Sequence, residues 1–421
     1  MRVLFVVPYA PTRIRTRPFH LIRALRSAGH DVTVATLWTS EEERAALTEL
    51  ATGATDLLAE RLSVARSLWN CLRALPRSEP LQAHFSWSPT LAARLAKAVT
   101  ELPFDVVHVE HLRGVRYGLW LGDMLATRAG RPAMIWDSVD CISALFRRAS
   151  RESDARRVRL AARLELPRTE RYEASMITRF DRVIVTAERD RQQLLDLMPA
   201  ARQAASASRV EVVPNGVDLE YFAPAPEPRE PMTLVISGKM SYHANATAVS
   251  RFVREAMPAV WKELPGVRLW VVGKDPTAEV LALGEPWPSP FAHRGEKEKR
   301  SRVLITGTVD DIRPFLRRAS LAVAPIQYGV GIQNKVLEAM ACGTPVVATP
   351  QAVDGVGARP AEDVIVASNP VQMAKSIVAL LRDPSRCVGL GRAGRAYVER
   401  RHGWPSVAAR LADIYACARA S

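Results

Sequence analysis

One local pattern occurs twice in this chain, and it decides the fold class. Near the start, the apolar run from Arg2 to Pro8 is followed by a loop and by Pro18, which suits the first turn of a helix. Phe19, Ile22 and Leu25 then recur along one face, Gly29 stops the helix, and Asp31 to Leu37 forms another apolar run. Thr233 to Gly238 opens the same sequence of events. Val249, Phe252, Val253, Ala256, Val260 and Trp261 follow at helical spacing, then Gly266, then Arg268 to Gly273. Strands that read as unbroken apolar runs and alternate with helices belong to parallel sheets covered on both faces. Two copies of the unit predict an α/β chain with two similarly wound domains rather than one large sheet. With 421 residues, 48% of them apolar, the chain has material for two cores.

Other segments fit the same scheme. Residues 40 to 100 read as mainly helical, with Ser40-Glu41-Glu42-Glu43 as a capped start. Phe104 to His111 and Ala133 to Asp140 read as strands whose carboxyl ends are polar, the place where α/β proteins hold ligands. His108, inside its strand, reads as a core histidine, and His111 is the better crevice candidate. Residues 146 to 179 are helical and dense in arginine, with acids interleaved as on a solvated, salt-bridged face. Asp181 to Thr186 and Arg209 to Val213 complete a first domain over 1–213. Val213-Pro-Asn-Gly-Val-Asp218 has turn chemistry and precedes a proline run to Pro231, so 214–231 is the expected hinge and linker. A second domain follows over 232–399. Residues 284 to 301 look like a surface insertion, and Val303 to Asp311 reads as strand then loop, with Asp310 or Asp311 capping the next helix.

The most informative stretch for function is Tyr328-Gly-Val-Gly-Ile-Gln-Asn-Lys-Val-Leu-Glu-Ala-Met-Ala-Cys-Gly343, lying between two apolar runs. It reads as a glycine loop, a helix and a glycine stop. Such a helix points its first N–H groups and the positive end of its dipole at whatever lies in front, which favours phosphate oxygens. Lys335 and Glu338, three apart, share a face near that opening. A cation for phosphate beside a carboxylate for sugar hydroxyls is a seat for a nucleotide. The same spacing also fits an ordinary crossover helix with a solvated Lys and Glu.

Leu337-Glu-Ala-Met-Ala-Cys-Gly-Thr-Pro-Val-Val347 closely resembles the donor-binding block of the retaining family 4 glycosyltransferases, also called glycosyl transferases group 1. Val330 stands where most members have the first glutamate of an E-x7-E pattern, and Lys335 where many have proline, so the form is similar to a branch lacking that glutamate. Pro-Asn-Gly-Val-Asp at 214–218 resembles the family's interdomain link. The resemblance implies the GT-B architecture, two Rossmann-like domains facing across a cleft, with a C-terminal helix at about 400–421 packing back on the first domain. It implies retaining transfer from a nucleoside diphosphate sugar to a hydroxyl acceptor, such as a lipid-linked glycan or polysaccharide precursor, by a front-face route in which the leaving phosphate takes the acceptor's proton. Gly238, Lys239, Val309, Gly329, Gly331, Ile332, Gln333, Lys335 and Glu338 would bind the donor, with Glu338 on the ribose and Lys335 on the phosphates. Asp137 stands nearest to a family histidine that reaches the sugar, so Glu338, Lys335 and Asp137 form the catalytic set. Arg13, Arg17 and His111 would meet an anionic acceptor.

No Asp-x-Asp stands at a strand end and the histidines lack ligand spacing, so neither metal nor cofactor is expected; the nucleotide sugar is a substrate. Five scattered cysteines without a Cys-x-x-Cys pair suit free thiols in a reducing compartment. The absence of a long apolar run predicts a cytoplasmic protein. A formal charge of +14 suits an anionic membrane face and nucleotide diphosphates, with nucleic acid the weaker candidate. Two other functional classes stay open on the residues alone. One is a sugar-nucleotide 2-epimerase on the same scaffold; the other is a non-catalytic binder of nucleotide sugar or nucleic acid.

Overall fold

The computed structural model describes residues 1–13, 15–51, 56–152, 156–286, 302–327 and 332–420. The chain forms two compact units, one of Met1–Pro214 with Trp404–Ser421 and the other of Asn215–Gly403. Each contains a seven-stranded sheet, parallel at every pairing.

In the first unit the strands are β1 (Arg2–Val7), β2 (Asp31–Trp38), β3 (Leu57–Arg61), β4 (Val106–Glu110), β5 (Ala133–Val139), β6 (Arg182–Val185) and β7 (Val210–Val212). Their order is β3-β2-β1-β4-β5-β6-β7. Winding runs outward in both directions from β1, so the order reverses between β1 and β4, and the carboxyl ends of those strands flank the natural ligand crevice. Every residue of β4 is buried, His108 and Glu110 included, as in a central parallel strand covered on both faces. The helix Thr16–Ser27 buries Phe19, Ile22 and Leu25, as its spacing predicts. It packs in one core with Trp404, Val407, Leu411 and Tyr415 of the helix Trp404–Ala420. Residues 40 to 100 are not wholly helical, because Leu57–Arg61 pairs in register with Val34–Trp38 as an edge strand. An edge position covers only part of such a strand, so its residues lack the long apolar run that reveals the central ones.

The second unit contains β8 (Glu230–Ser237), β9 (Arg268–Val272), β10 (Glu285–Pro286), β11 (Val303–Gly307), β12 (Ala319–Ala324), β13 (Val346–Ala348) and β14 (Ile365–Val366). The order β10-β11-β9-β8-β12-β13-β14 places its reversal between β8 and β12. After β8 the chain is helical from His243 to Glu263, with one π turn at Phe252–Ala256 just before Pro258. Proline offers no N–H and its ring crowds the carbonyl four residues back, so a locally wider turn is the expected accommodation.

After β12 comes the helix Asn334–Ala341. It ends in a Schellman motif: Gly343 N–H donates to Met340 O at 2.9 Å, and Thr344 N–H to Ala339 O at 2.9 Å. Gly343 has φ +69°, a conformation glycine adopts without a side-chain penalty. Two guanidinium groups hold the remaining carbonyls. Arg229 donates to Gly343 O at 2.8 Å and Cys342 O at 3.3 Å, and Arg395 to Ala341 O at 2.6 Å. Cations at this end also complement the negative pole of the helix. Gly391, on the helix Pro384–Arg401, packs so closely that a Cβ there would lie 2.2 Å from Gly343 O. Gly391→Ala should therefore force the two helices apart and destabilise the second unit by ~2 kcal/mol, the usual scale of overpacking, read as a lower urea midpoint.

Candidate functional site

In the second unit, residues from two crossovers meet at the strand reversal. Gly238 directly follows β8 with φ +145°, and a Cβ at that position would lie 2.9 Å from Asn245 Nδ2 and 3.4 Å from Lys335 Nζ. The missing side chain is what lets the loop after β8 approach the start of the helix Asn334–Ala341. Asn245, at the start of the helix after β8, ties both together. Its amide Nδ2 donates to Lys239 O at 2.9 Å and its Oδ1 accepts from Lys335 Nζ at 2.5 Å. Gly273 completes the cradle with φ +151°, since a Cβ there would collide with Gly238 O at 1.7 Å.

Burial pulls the Lys335 ammonium down to about 8, with Glu338 opposing the shift. Burial lifts the Glu338 carboxyl to about 7, with Lys335 opposing in turn. Each group stabilises the charge of the other, and neither is fully solvated. Asn334 Oδ1, beside them, is buried with no hydrogen-bond partner among the described residues. Shifted ionisable groups beside an unsatisfied polar atom at a helix start make this a candidate ligand seat. The side chain of Ile332 is buried in the core and Val309 packs against the same cluster, so each has only backbone to offer. Gln333 caps the helix with φ −80° and ψ 89°. Lys239 is exposed on the loop after β8. Gly329, Gly331 and Val330 lie outside the described residues.

The first unit has a second cluster at its own reversal. Arg17 and Asp137, separately expected to meet an acceptor and a sugar, instead meet each other: Nη2 donates to Asp137 Oδ2 at 2.7 Å and Nε to the same oxygen at 3.0 Å. Asp137 has no exposed surface, Arg17 only 5%, and Asp137 Oδ1 accepts from Val139 N–H at 3.1 Å. A carboxylate so enclosed needs a cation, and pairing accounts for both residues. Burial still raises Asp137 above the usual carboxylate range, with Arg17 pulling it down. His108 is the core histidine expected, stacked on Phe5 and hydrogen-bonded through Nδ1 to Tyr415 Oη at 2.8 Å. Arg13 is exposed on the loop after β1.

Glu110 is a group that sequence reasoning passed over. Burial, then the charge of Asp137, lifts its carboxyl to about 8, while Tyr9 donates to Oε1 at 2.7 Å. Its Oε2 has no partner among the described residues. Burial thus biases this carboxyl toward its protonated form. The available signal was a Glu-His pair closing an apolar strand. His111 has φ +61°, and burial with the charge of Arg113 lowers its imidazole to about 4. Val139, one strand over, has φ +69°. A β-branched residue in this region is strained, and left-handed backbone of this kind collects at functional sites.

The two parallel sheets agree with comparisons to known proteins. Residues 16–221 match the model for Glycosyltransferase Family 4, and residues 231–383 the model for Glycosyl transferases group 1. The chain belongs to the group 1, family 4 glycosyltransferases. It is 28% identical over 272 residues to D-inositol 3-phosphate glycosyltransferase of Kineococcus radiotolerans, covering 58% of each chain. It is 29% identical over 216 residues to GDP-mannose-dependent monoacylated alpha-(1-6)-phosphatidylinositol monomannoside mannosyltransferase of Corynebacterium glutamicum, covering 48% of this chain and 55% of that one. The chain thus spans little more than half the length of these curated relatives. Among solved structures, Anabaena Alr3699/HepE in complex with UDP and glucose is similar in fold, with a TM-score of 0.64 at 12% identity, covering 99% of this chain and 100% of that one.

Replacing Arg17 by Met should cost ~3–5 kcal/mol in urea unfolding, because Asp137 is left buried and unpaired. Arg17→Met with Asp137→Asn should recover most of the loss. A double variant no better than the single would show that Arg17 acts through packing alone.

Proposed function

We propose that this protein transfers a sugar, with retention, from a nucleoside diphosphate sugar to a hydroxyl acceptor, and that the acceptor is a lipid-linked glycan or polysaccharide precursor. The observation that carries the donor half is the meeting of Gly238, Asn245, Lys335 and Glu338 at the strand reversal of the second unit, with Asn334 Oδ1 unsatisfied beside them. Lys335 and the first N–H groups of its helix take the diphosphate, and Glu338 accepts from the ribose hydroxyls. As the bond to the anomeric carbon breaks, charge grows on the leaving phosphate. An ammonium and a helix dipole already in place stabilise that charge without reorganising. The sequence pattern alone assigns Gly329 and Gly331 to donor binding.

Retention follows the front-face route, in which the leaving phosphate oxygen accepts the proton of the attacking hydroxyl and no enzyme nucleophile is needed. Family membership supports that route. The acceptor half is assigned to the first unit, whose crevice offers Tyr9, Glu110 and His111, with Arg13 at its loop. Arg17 and Asp137 position this loop and strand end rather than touch sugar. Binding of GDP-mannose by a relative, as its name states, and of UDP by the Anabaena protein make those two bases the first to try.

Thermal shift with a panel of UDP and GDP sugars tests the donor assignment, since a ligand that binds the folded state raises its melting temperature. Lys335→Ala should weaken the active donor roughly 10- to 100-fold, the range for a lost charged hydrogen bond. Unchanged affinity would refute the phosphate role.

The pH dependence follows from both groups. Lys335 loses its charge as pH rises through about 8, and Glu338 loses its charge as pH falls through about 7. Donor affinity should therefore peak between those values. Lys335→Arg should keep affinity on the alkaline side, and isothermal titration across pH checks it.

A further inference from the structure

The helix Val64–Ala74 of the first unit is built inside out. Its buried residues include the polar Ser67 and Asn70 with Ala74, while Val64, Leu68 and Leu72, at successive turns of one face, are 72%, 63% and 56% exposed. Trp69 and Leu75 beside them are 52% and 50% exposed. The inward polar face is satisfied: Asn70 Nδ2 donates to Trp87 O at 2.9 Å. The helix is therefore seated as the fold requires, and its apolar side is left to solvent. Four large apolar side chains on one short helix, with Leu75 just after it, exceed the scattered exposure normal for a monomer and mark a surface with a partner.

Charge identifies the partner. Between Glu60 and Glu79 there is no acidic residue, whereas Arg61, Arg66, Arg73 and Arg77 are all present. Arg66, Arg73 and Arg77 are exposed and form no ion pair among the described residues. Beside the helix is a cavity of about 140 Å³ lined by Arg66, Arg73, Arg77 and Arg116 together with Trp69 and Trp87. Arg116 stacks over Trp87 at 4.2 Å. Exposed Leu160 and Leu164 extend the apolar area on the helix Arg156–Arg179, whose Arg168 donates to Leu75 O at 2.9 Å. A second copy of the chain placed on this face would set arginines against arginines. An anionic bilayer supplies what the face lacks, acyl chain for the leucines and phosphate for the arginines, with tryptophan at the boundary.

We infer that Val64–Ala74 is an interfacial helix that docks the first unit on an anionic phospholipid surface, with the adjoining arginine-lined cavity taking a lipid phosphate. No helix among the described residues is long and apolar enough to cross a membrane, so this contact lies along the surface. The inference does not rest on the donor assignment, which concerns the other unit.

The test uses the full chain with sedimenting vesicles of phosphatidylcholine alone, and of two parts phosphatidylcholine to one part phosphatidylglycerol. The protein should pellet with the mixed vesicles, less so as salt is raised, and stay in solution with phosphatidylcholine alone. Leu68→Glu with Leu72→Glu should lower partitioning at least tenfold, as should Arg73→Glu with Arg77→Glu. Both variants change exposed side chains, and an unaltered nucleotide-sugar thermal shift separates loss of docking from loss of donor binding. Equal binding by the variants, equal binding to both vesicle types, or binding to neither overturns the inference. So does concentration-dependent self-association that the leucine substitutions abolish in a protein indifferent to vesicles.

Discussion

The second unit depends on keeping one short helix in place. Eight residues are too few for Asn334–Ala341 to persist on its own. The sheet and the buried faces of Val336, Leu337 and Met340 hold its sides, and Arg229 and Arg395 hold its last carbonyls. The arrangement is directional. Two cations occupy the negative pole, so the positive pole is left facing the loop after β8, and there Lys335 is drawn into contact with Asn245. Burying that ammonium has an energetic cost, visible in the lowered affinity of Lys335 for its proton.

The first unit handles charge differently. Asp137, Arg17, Glu110 and Tyr9 form a buried set at the strand reversal, joined by hydrogen bonds and by longer-range charge effects. One carboxylate is matched by a guanidinium, and the neighbouring carboxyl is pushed toward its neutral form. Such a set tolerates little rearrangement, because losing any member exposes another to an apolar surrounding. Left-handed backbone at His111 and Val139 sits on the same strand ends.

Much of this was legible in the sequence. Apolar runs bounded by glycine and proline give the central strands, and Phe19, Ile22 and Leu25 give the first helix its buried face. Lys335 and Glu338 could be paired on helical spacing alone. Side chains related only through tertiary structure could not. Arg17 and Asp137 are far apart in the chain, and nothing local says that each is the other's partner. The same is true of Asn245 and Lys335. Helix Val64–Ala74 misleads in a different way, because periodicity reports that a helix has an apolar side but not which side faces inward. Only the burial of Ser67 and Asn70 settles that.

The first unit is not continuous in the chain. Trp404, Val407, Leu411 and Tyr415 complete a core begun by Val3, Phe5 and Phe19, and Tyr415 supplies the hydroxyl that satisfies His108. Residues 215–403 are synthesised in between and form a unit of their own. During translation the later unit is therefore the first to be finished. The amino-terminal sheet has to wait, one flank uncovered, until the helix Trp404–Ala420 leaves the ribosome.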